Sequence, residues 1–355
     1  MLFRQDDKIN KTASRENMSE EGKTDSQKAK IPFKFVFGVL LVVGGLYLGR
    51  HYEVRLDDKK GIVVTRRVAD GKDSPSPQKQ PPQNEKQPSA VTPTEGVLPM
   101  TTFTIATWDL SPLDFEKMAD ATRAQRIAEV MAQFDLTAVQ GLIRTALPLN
   151  ELVRRMNTDG KKFAYVIPKN LGNMPESAAF LFNTAVVKYD PEKTYELESS
   201  VLSSRPLVSS FCTVAPPQEQ AFTFNLINVK ISDNRKEAES QILGAIFRQV
   251  RDGDQAEDDV ILLGNFGVPV AQAESLRSVP YLAVVHENLP TSINGIYSTE
   301  NIAFDKLRTI EYVGGVQTVD LIKRFNLNLG DAKRMTEHLP LSAKFSVFEA
   351  GSSGK

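Results

Sequence analysis

The chain has a single cysteine, Cys212, in 355 residues, so no disulfide within the chain is possible. With no disulfide to read, cysteine usage does not report the redox compartment, and Cys212 reads as a small hydrophobe at the end of an apolar run. Tryptophan is equally scarce, and the only one, Trp108, reads as a core residue. Three histidines (His51, His286 and His338) lie far apart, without the spacing of a zinc site, and His51 and His286 read as surface residues. The sequence has no phosphate-binding glycine loop, dinucleotide fingerprint, nucleophile elbow or internal repeat. It also lacks a basic excess. Residues 101–355 hold 26 Lys+Arg against 31 Asp+Glu, a net of −5. Binders of long nucleic acids draw most of their non-specific affinity from phosphate neutralisation, so this balance argues against that class.

What is present divides unequally. Residues 1–30 are polar and mixed in charge, and are expected to be disordered. Residues 35–49 (FVFGVLLVVGGLYLG) contain no charge. Counted back to Ile31, with Lys34 free to snorkel, they give a stretch of about 19 residues, near the lower limit for crossing a bilayer. A long polar leader and the absence of a small-residue cleavage site favour a transmembrane helix over 31–49 rather than a signal peptide. Basic residues flank it on both sides, so the positive-inside rule does not fix its orientation. A single N-terminal anchor of this kind in a bacterium leaves the larger domain outside the cytoplasm, and the reading leans to that side.

Residues 50–98 form a juxtamembrane segment with one expected strand in GIVVTRR. A Pro-, Gln-, Ser- and Lys-rich tether follows over 71–98, a composition that buries no core. Globular texture begins near 99 and runs to 350. Strands are predicted at 103–107, 136–139, 178–187, 206–214, 221–231 and 260–264, and amphipathic helices at 120–134 and 235–249. Alternating strands and helices with β-rich stretches between them predict two sheets covered by helices.

Several segments, in order, resemble the endonuclease/exonuclease/phosphatase superfamily. They are FTIATWDL at 103–110, LTAVQGL at 136–142, the strand at 179–187, Arg205-Pro206-Leu207, FNLINVKI at 224–231, VILLGNFG at 260–267, ENIAF at 300–304 and TEHLP at 336–340. The resemblance implies an α/β fold, a four-layer α/β/β/α sandwich like that of deoxyribonuclease I. It also implies a site at one edge of the sandwich, where one or two Mg²⁺ ions and a His–carboxylate pair hydrolyse phosphoesters.

Carried over residue by residue, the resemblance puts His338, Glu337, Asn265 and Lys230 at catalytic positions. It puts Asp109 and Glu300 at metal positions and Arg205 at a substrate position. Most are substitutions. Gly141 stands where the metal-binding glutamate belongs, Lys230 where a histidine belongs, Asn265 where an aspartate belongs, and Gly267 where an asparagine belongs. A hard cation needs anionic oxygen, and a general base needs a suitable pKa, so this set is poor for the family chemistry.

The reading is therefore a membrane-anchored binding module without a cofactor. Its expected partners are the membrane and a protein, a polyanion or a phosphorylated ligand. Two alternatives stay open: an altered Mg-dependent phosphodiesterase or nuclease built on the remaining residues, and a structural module displayed at the membrane.

Overall fold

The computed structural model describes residues 52–57, 61–66, 101–158, 160–172, 174–253 and 257–350. The expected leader (1–30), membrane span (31–49), tether (71–98) and His51 lie outside these residues. Among the described residues no helix is long and apolar enough to cross a membrane.

The described residues before residue 101 form a unit by themselves. It contains β1 (Tyr52–Asp57) and β2 (Gly61–Arg66), paired antiparallel from Tyr52↔Arg66 to Asp57↔Gly61. The single strand expected around GIVVTRR is thus the second arm of a hairpin. The first arm, YEVRLD, alternates apolar and charged residues too briefly to stand out in the sequence.

From residue 101 the chain forms two six-stranded mixed sheets. One holds, in spatial order, β13 (Tyr312–Thr318), β14 (Leu341–Ser346), β3 (Thr102–Leu113), β4 (Leu136–Leu142), β6 (Ser177–Asn183) and β5 (Phe163–Val166). The other holds β11 (Leu282–Val284), β12 (Glu300–Asp305), β10 (Val260–Asn265), β9 (Thr223–Lys230), β8 (Leu207–Thr213) and β7 (Val187–Glu196). The parallel pairs are β3 with β4 and β9 with β10.

Phenylalanine fills the space between the sheets. Phe103, Phe180, Phe211, Phe222, Phe224 and Phe345 are buried there, with ring centroids 4.7 Å apart for Phe222 and Phe224 and 5.3 Å for Phe180 and Phe211. Pairs at these spacings add to the burial free energy of the rings. On the outer face of the first sheet, α1 (Phe115–Ala119), α2 (Ala121–Met131), α3 (Leu147–Met156), α7 (Leu321–Phe325) and α8 (Leu329–Met335) cover a second core that includes Trp108. On the outer face of the other sheet, α5 (Leu243–Gly253) and α6 (Glu274–Arg277) cover a third. Three cores between four layers make the α/β/β/α sandwich.

Two predicted elements are divided in the structure. The strand expected over 178–187 ends at Asn183, whose carbonyl accepts from Val186 N at 2.9 Å and whose side chain accepts from Ala185 N at 3.1 Å. That turn sends β6 and β7 to different sheets. The helix expected over 235–249 is broken between α4 (Lys236–Ser240) and α5. There Glu239 turns inward, fully buried, and accepts bonds from Ser203 N, Ser203 Oγ and Ser232 N. Satisfying that buried carboxylate outweighs continuing the helix.

Candidate functional site

Strand direction and register bring the site together. Asp109 lies near the end of β3, Gly141 near the end of β4, Lys230 ends β9 and Asn265 ends β10. In register, Asn265 stands opposite both Lys230 and Glu300, the first residue of β12. His338 lies in the loop before β14. That loop is held to β3, because Trp108 Nε1 donates to the His338 carbonyl at 3.0 Å and Thr336 Oγ1 donates to the Asp109 carbonyl at 2.7 Å.

Asp109 is the centre and is fully buried. Its Oδ1 accepts from Ser111 N at 2.9 Å and also from Ser111 Oγ. Its Oδ2 accepts from Asn265 Nδ2 at 2.9 Å, with Lys230 Nζ at 4.0 Å and His338 Nε2 at 3.9 Å. Burial alone would raise this carboxyl. The charges of Lys230 and His338 and the bonds from Ser111 and Asn265 outweigh it and hold the pKa at about 2.

Lys230 is the internal counterion. Its Nζ donates to Glu176 Oε2 at 2.5 Å and to Ser111 Oγ. Glu176 and Ser111 carry no family motif, yet both contact Lys230. Glu176 immediately precedes β6, and the pairing of Leu142 with Ser177 carries it to the end of β4.

Gly141 has φ +87°, and a Cβ built on it would fall 2.2 Å from Ser111 Oγ and 2.5 Å from Ser111 Cα. The β3–β4 register shifts between Asp109 and Leu113, and the bulge places Ser111 over the glycine. Ser111 therefore fills the place a side chain at 141 would take. Asn265 is fixed as well, since its Oδ1 accepts from Gly267 N at 2.9 Å and leaves Nδ2 for Asp109.

His338 faces two acids. Its Nδ1 lies 2.5 Å from Glu300 Oε1, outside good hydrogen-bond geometry, so the contact is an ion pair. Burial would depress the imidazole. Glu300 first, then Asp109 and Asp233, outweigh it and raise the pKa to about 9. Glu300 is itself fully buried and also accepts from Thr299 Oγ1 at 3.2 Å. His286, expected at the surface, is half-buried. Its Nδ1 accepts from Leu289 N at 3.1 Å, which leaves Nε2 to donate to the Glu300 carbonyl at 2.9 Å.

The structure brings Asp109, Lys230, Asn265, Glu300 and His338 together, with Gly141 beneath Ser111. Glu337 does not join the inner group. Its side chain is 69% exposed and lies 3.6 Å from Lys333. Arg205 pairs with Glu198 at 3.0 Å and is not among the residues lining the cleft. The acids nearest Gly141 in sequence are engaged elsewhere, Asp135 with Thr104 and Glu151 with Arg154 and Arg155.

Above Asp109 opens a cleft of about 480 Å³. Its basic lining residues are Lys117, Arg123, Lys230, Lys333, Arg334 and His338, and Asp114, Glu116, Asp233 and Glu337 stand at the same cleft. Lys117 is buried and donates to the carbonyls of Leu110 at 2.6 Å and Ser111 at 3.2 Å, and desolvation pushes its pKa down to about 8.

No protein-family model and no curated protein matches the sequence. Solved structures do. One is D. rerio TDP2 in complex with single-strand DNA product, with 14% identity, 69% of this chain and 98% of the other covered, and a TM-score of 0.51. Another is D. rerio TDP2 humanized by 14 mutations, with 13% identity, the same coverage and a TM-score of 0.50. An endonuclease/exonuclease/phosphatase family protein from Bacteroides thetaiotaomicron matches with 12% identity, 69% and 98% coverage and a TM-score of 0.46. At these identities the two TDP2 comparisons speak to architecture alone. The chain has the endonuclease/exonuclease/phosphatase-like fold.

Proposed function

We propose that the domain is a binding module that has lost the hydrolytic chemistry associated with its fold, and that its edge cleft takes an anionic, phosphate-bearing ligand. One observation carries this reading: Lys230 sits among Asp109, Glu176 and Ser111, where its ammonium supplies the positive charge that the carboxylates would otherwise draw from a metal.

The side chains fit Mg²⁺ poorly. Octahedral Mg²⁺ needs free anionic oxygens at short distance. Both oxygens of Asp109 are already bonded within the protein, and position 141 has no side chain and no room for one. His338 stays protonated to about pH 9, so near neutral pH it holds charge and does not accept a proton. Asn265 is an amide and cannot take a proton. What remains suits recognition: His338, Lys117 and Arg123 line the cleft as cations, with the exposed Lys333 and Arg334 beside them.

We further propose that residues 31–49 anchor the chain in a membrane and that 71–98 tether the domain to it. Twenty-eight residues of Pro-rich chain reach up to about 90 Å, enough for the cleft to face the bilayer or turn away from it. Resistance to carbonate extraction tests the anchor, and protease accessibility of the domain in sealed vesicles tests the expected outer side.

Pyrophosphate titrated into the full chain tests the cleft. Thermal unfolding should shift upward with pyrophosphate, by about 2.7 kcal/mol of stabilisation at a hundredfold excess over Kd. The shift should be lost in Lys333→Glu/Arg334→Glu and should not require Mg²⁺. Absence of binding refutes the proposed ligand, and Mg²⁺-dependent breakdown of a phosphodiester refutes the loss of chemistry.

A further inference from the structure

A second acidic centre lies at the opposite end of β10. Asp259 immediately precedes that strand, so about 20 Å of strand separates it from Asn265. Glu311 precedes β13 and Glu349 follows β14. One carboxylate oxygen from each of Asp259, Glu311 and Glu349 lies within 4.8 Å of the other two.

Backbone bonds fix the three positions. Asn225 N donates to the Asp259 carbonyl at 2.8 Å, and Ser346 N donates to the Glu311 carbonyl at 2.8 Å. Ala350 N donates to Glu311 Oε1 at 2.6 Å, and Thr223 N to Glu349 Oε2 at 3.1 Å. Sheet register, rather than flexible loops, sets the cluster.

Asp259 and Glu311 are each only 2% exposed, and Asp259 Oδ1 and Glu311 Oε2 have no hydrogen-bond partner. A further group points in. Thr309, 1% exposed, stands beside the Asp259 carboxylate, and its Oγ1 completes no hydrogen bond of good geometry. Among the described residues the nearby arginines pair with other acids, Arg251 with Asp305 and Asp252, and Arg308 with Asp258. Asp259 and Glu311 are thus buried carboxylates with no compensating cation among the described residues, which is costly, and packing them together adds repulsion.

We propose that Asp259, Glu311 and Glu349, with the Thr309 hydroxyl, bind a hard divalent cation of the calcium type. Ca²⁺ takes oxygen ligands at about 2.3–2.6 Å, so ligands on opposite sides of the ion stand about 4.6–5.2 Å apart, a span that accommodates the cluster. Mg²⁺ draws opposite ligands to about 4.2 Å and keeps several waters, for which this buried position has less room. The ion joins the start of β10, the approach to β13 and the exit from β14, fastening the end of the sandwich away from the cleft. The competing arrangement is a metal-free cluster in which the carboxyls share protons.

The test is thermal unfolding of the chelator-treated full chain with Ca²⁺ added at pH 7.5. The expected result is a rise in Tm of about 5 °C at saturating Ca²⁺, with one ion bound per chain by equilibrium dialysis. Glu311→Gln/Glu349→Gln should abolish both, while its Tm in chelator should match or exceed that of the unsubstituted chain, because the repulsion is gone. No Ca²⁺ response, or a response that survives Glu311→Gln/Glu349→Gln, overturns the proposal.

Discussion

Replacing Lys230 by methionine keeps the aliphatic stem and deletes the ammonium that faces Asp109, Glu176 and Ser111. Asp109 has its pKa lowered from 3.8 to about 2, a drop that corresponds to about 2.5 kcal/mol of favourable interaction with the charged form. Lys230 is the first of the stabilising causes, but His338, Ser111 and Asn265 remain in the variant. The expected loss is therefore about 2 kcal/mol, below the roughly 3–5 kcal/mol typical of a buried pair stripped of one partner.

The sign follows from linkage. A carboxyl with a depressed folded-state pKa contributes stability above its unfolded pKa and loses it as pH falls through the folded value, so the gap between the two proteins is full at pH 7 and narrows below pH 4. Urea unfolding followed by the fluorescence of Trp108, the only tryptophan and a neighbour of the site, reads it directly. Combining Lys230→Met with Asp109→Asn in a double-mutant cycle isolates the pair. A coupling below about 0.3 kcal/mol refutes Lys230 as the counterion.

Three further outcomes are expected. Gly141→Ala forces a Cβ into Ser111 at a positive φ and should cost more than about 3 kcal/mol in urea unfolding; a tolerant site would contradict the bulge. An NMR titration of His338 should give a pKa of about 9 that falls in Glu300→Gln, so the histidine's stabilisation is present below pH 6.5 and lost as pH rises through 9; an unmoved titration would break the assigned pair. Glu337→Ala should change stability by no more than about 0.5 kcal/mol, because its partner Lys333 is a solvent-exposed contact.

The architecture was legible because motif order and strand direction are linked. Short segments ending in Asp109, Lys230 and Asn265 are strands whose ends converge once two parallel pairs form. The filling of the site was not legible. Nothing near Gly141 in sequence announces that Ser111 occupies its space, because a bulge between Asp109 and Leu113 decides it. Glu176 was missed because its place depends on the β4–β6 register rather than on a motif. Glu337 is expected at a catalytic position because TEHLP resembles the family's closing motif, yet neighbours in an extended loop point apart, and it faces solvent. The acids Asp259, Glu311 and Glu349 are scattered over ninety residues of sequence and meet only through the sheet.

The central claim is that the cation needed by the old chemistry has been replaced by a side chain of the protein itself. Phosphodiester hydrolysis by the purified full chain, measured with and without Mg²⁺ beside Asp109→Asn and His338→Gln variants, tests it most directly. The account predicts a rate at background in all three proteins and indifferent to the metal. Turnover that requires Mg²⁺ and disappears in Asp109→Asn would contradict it.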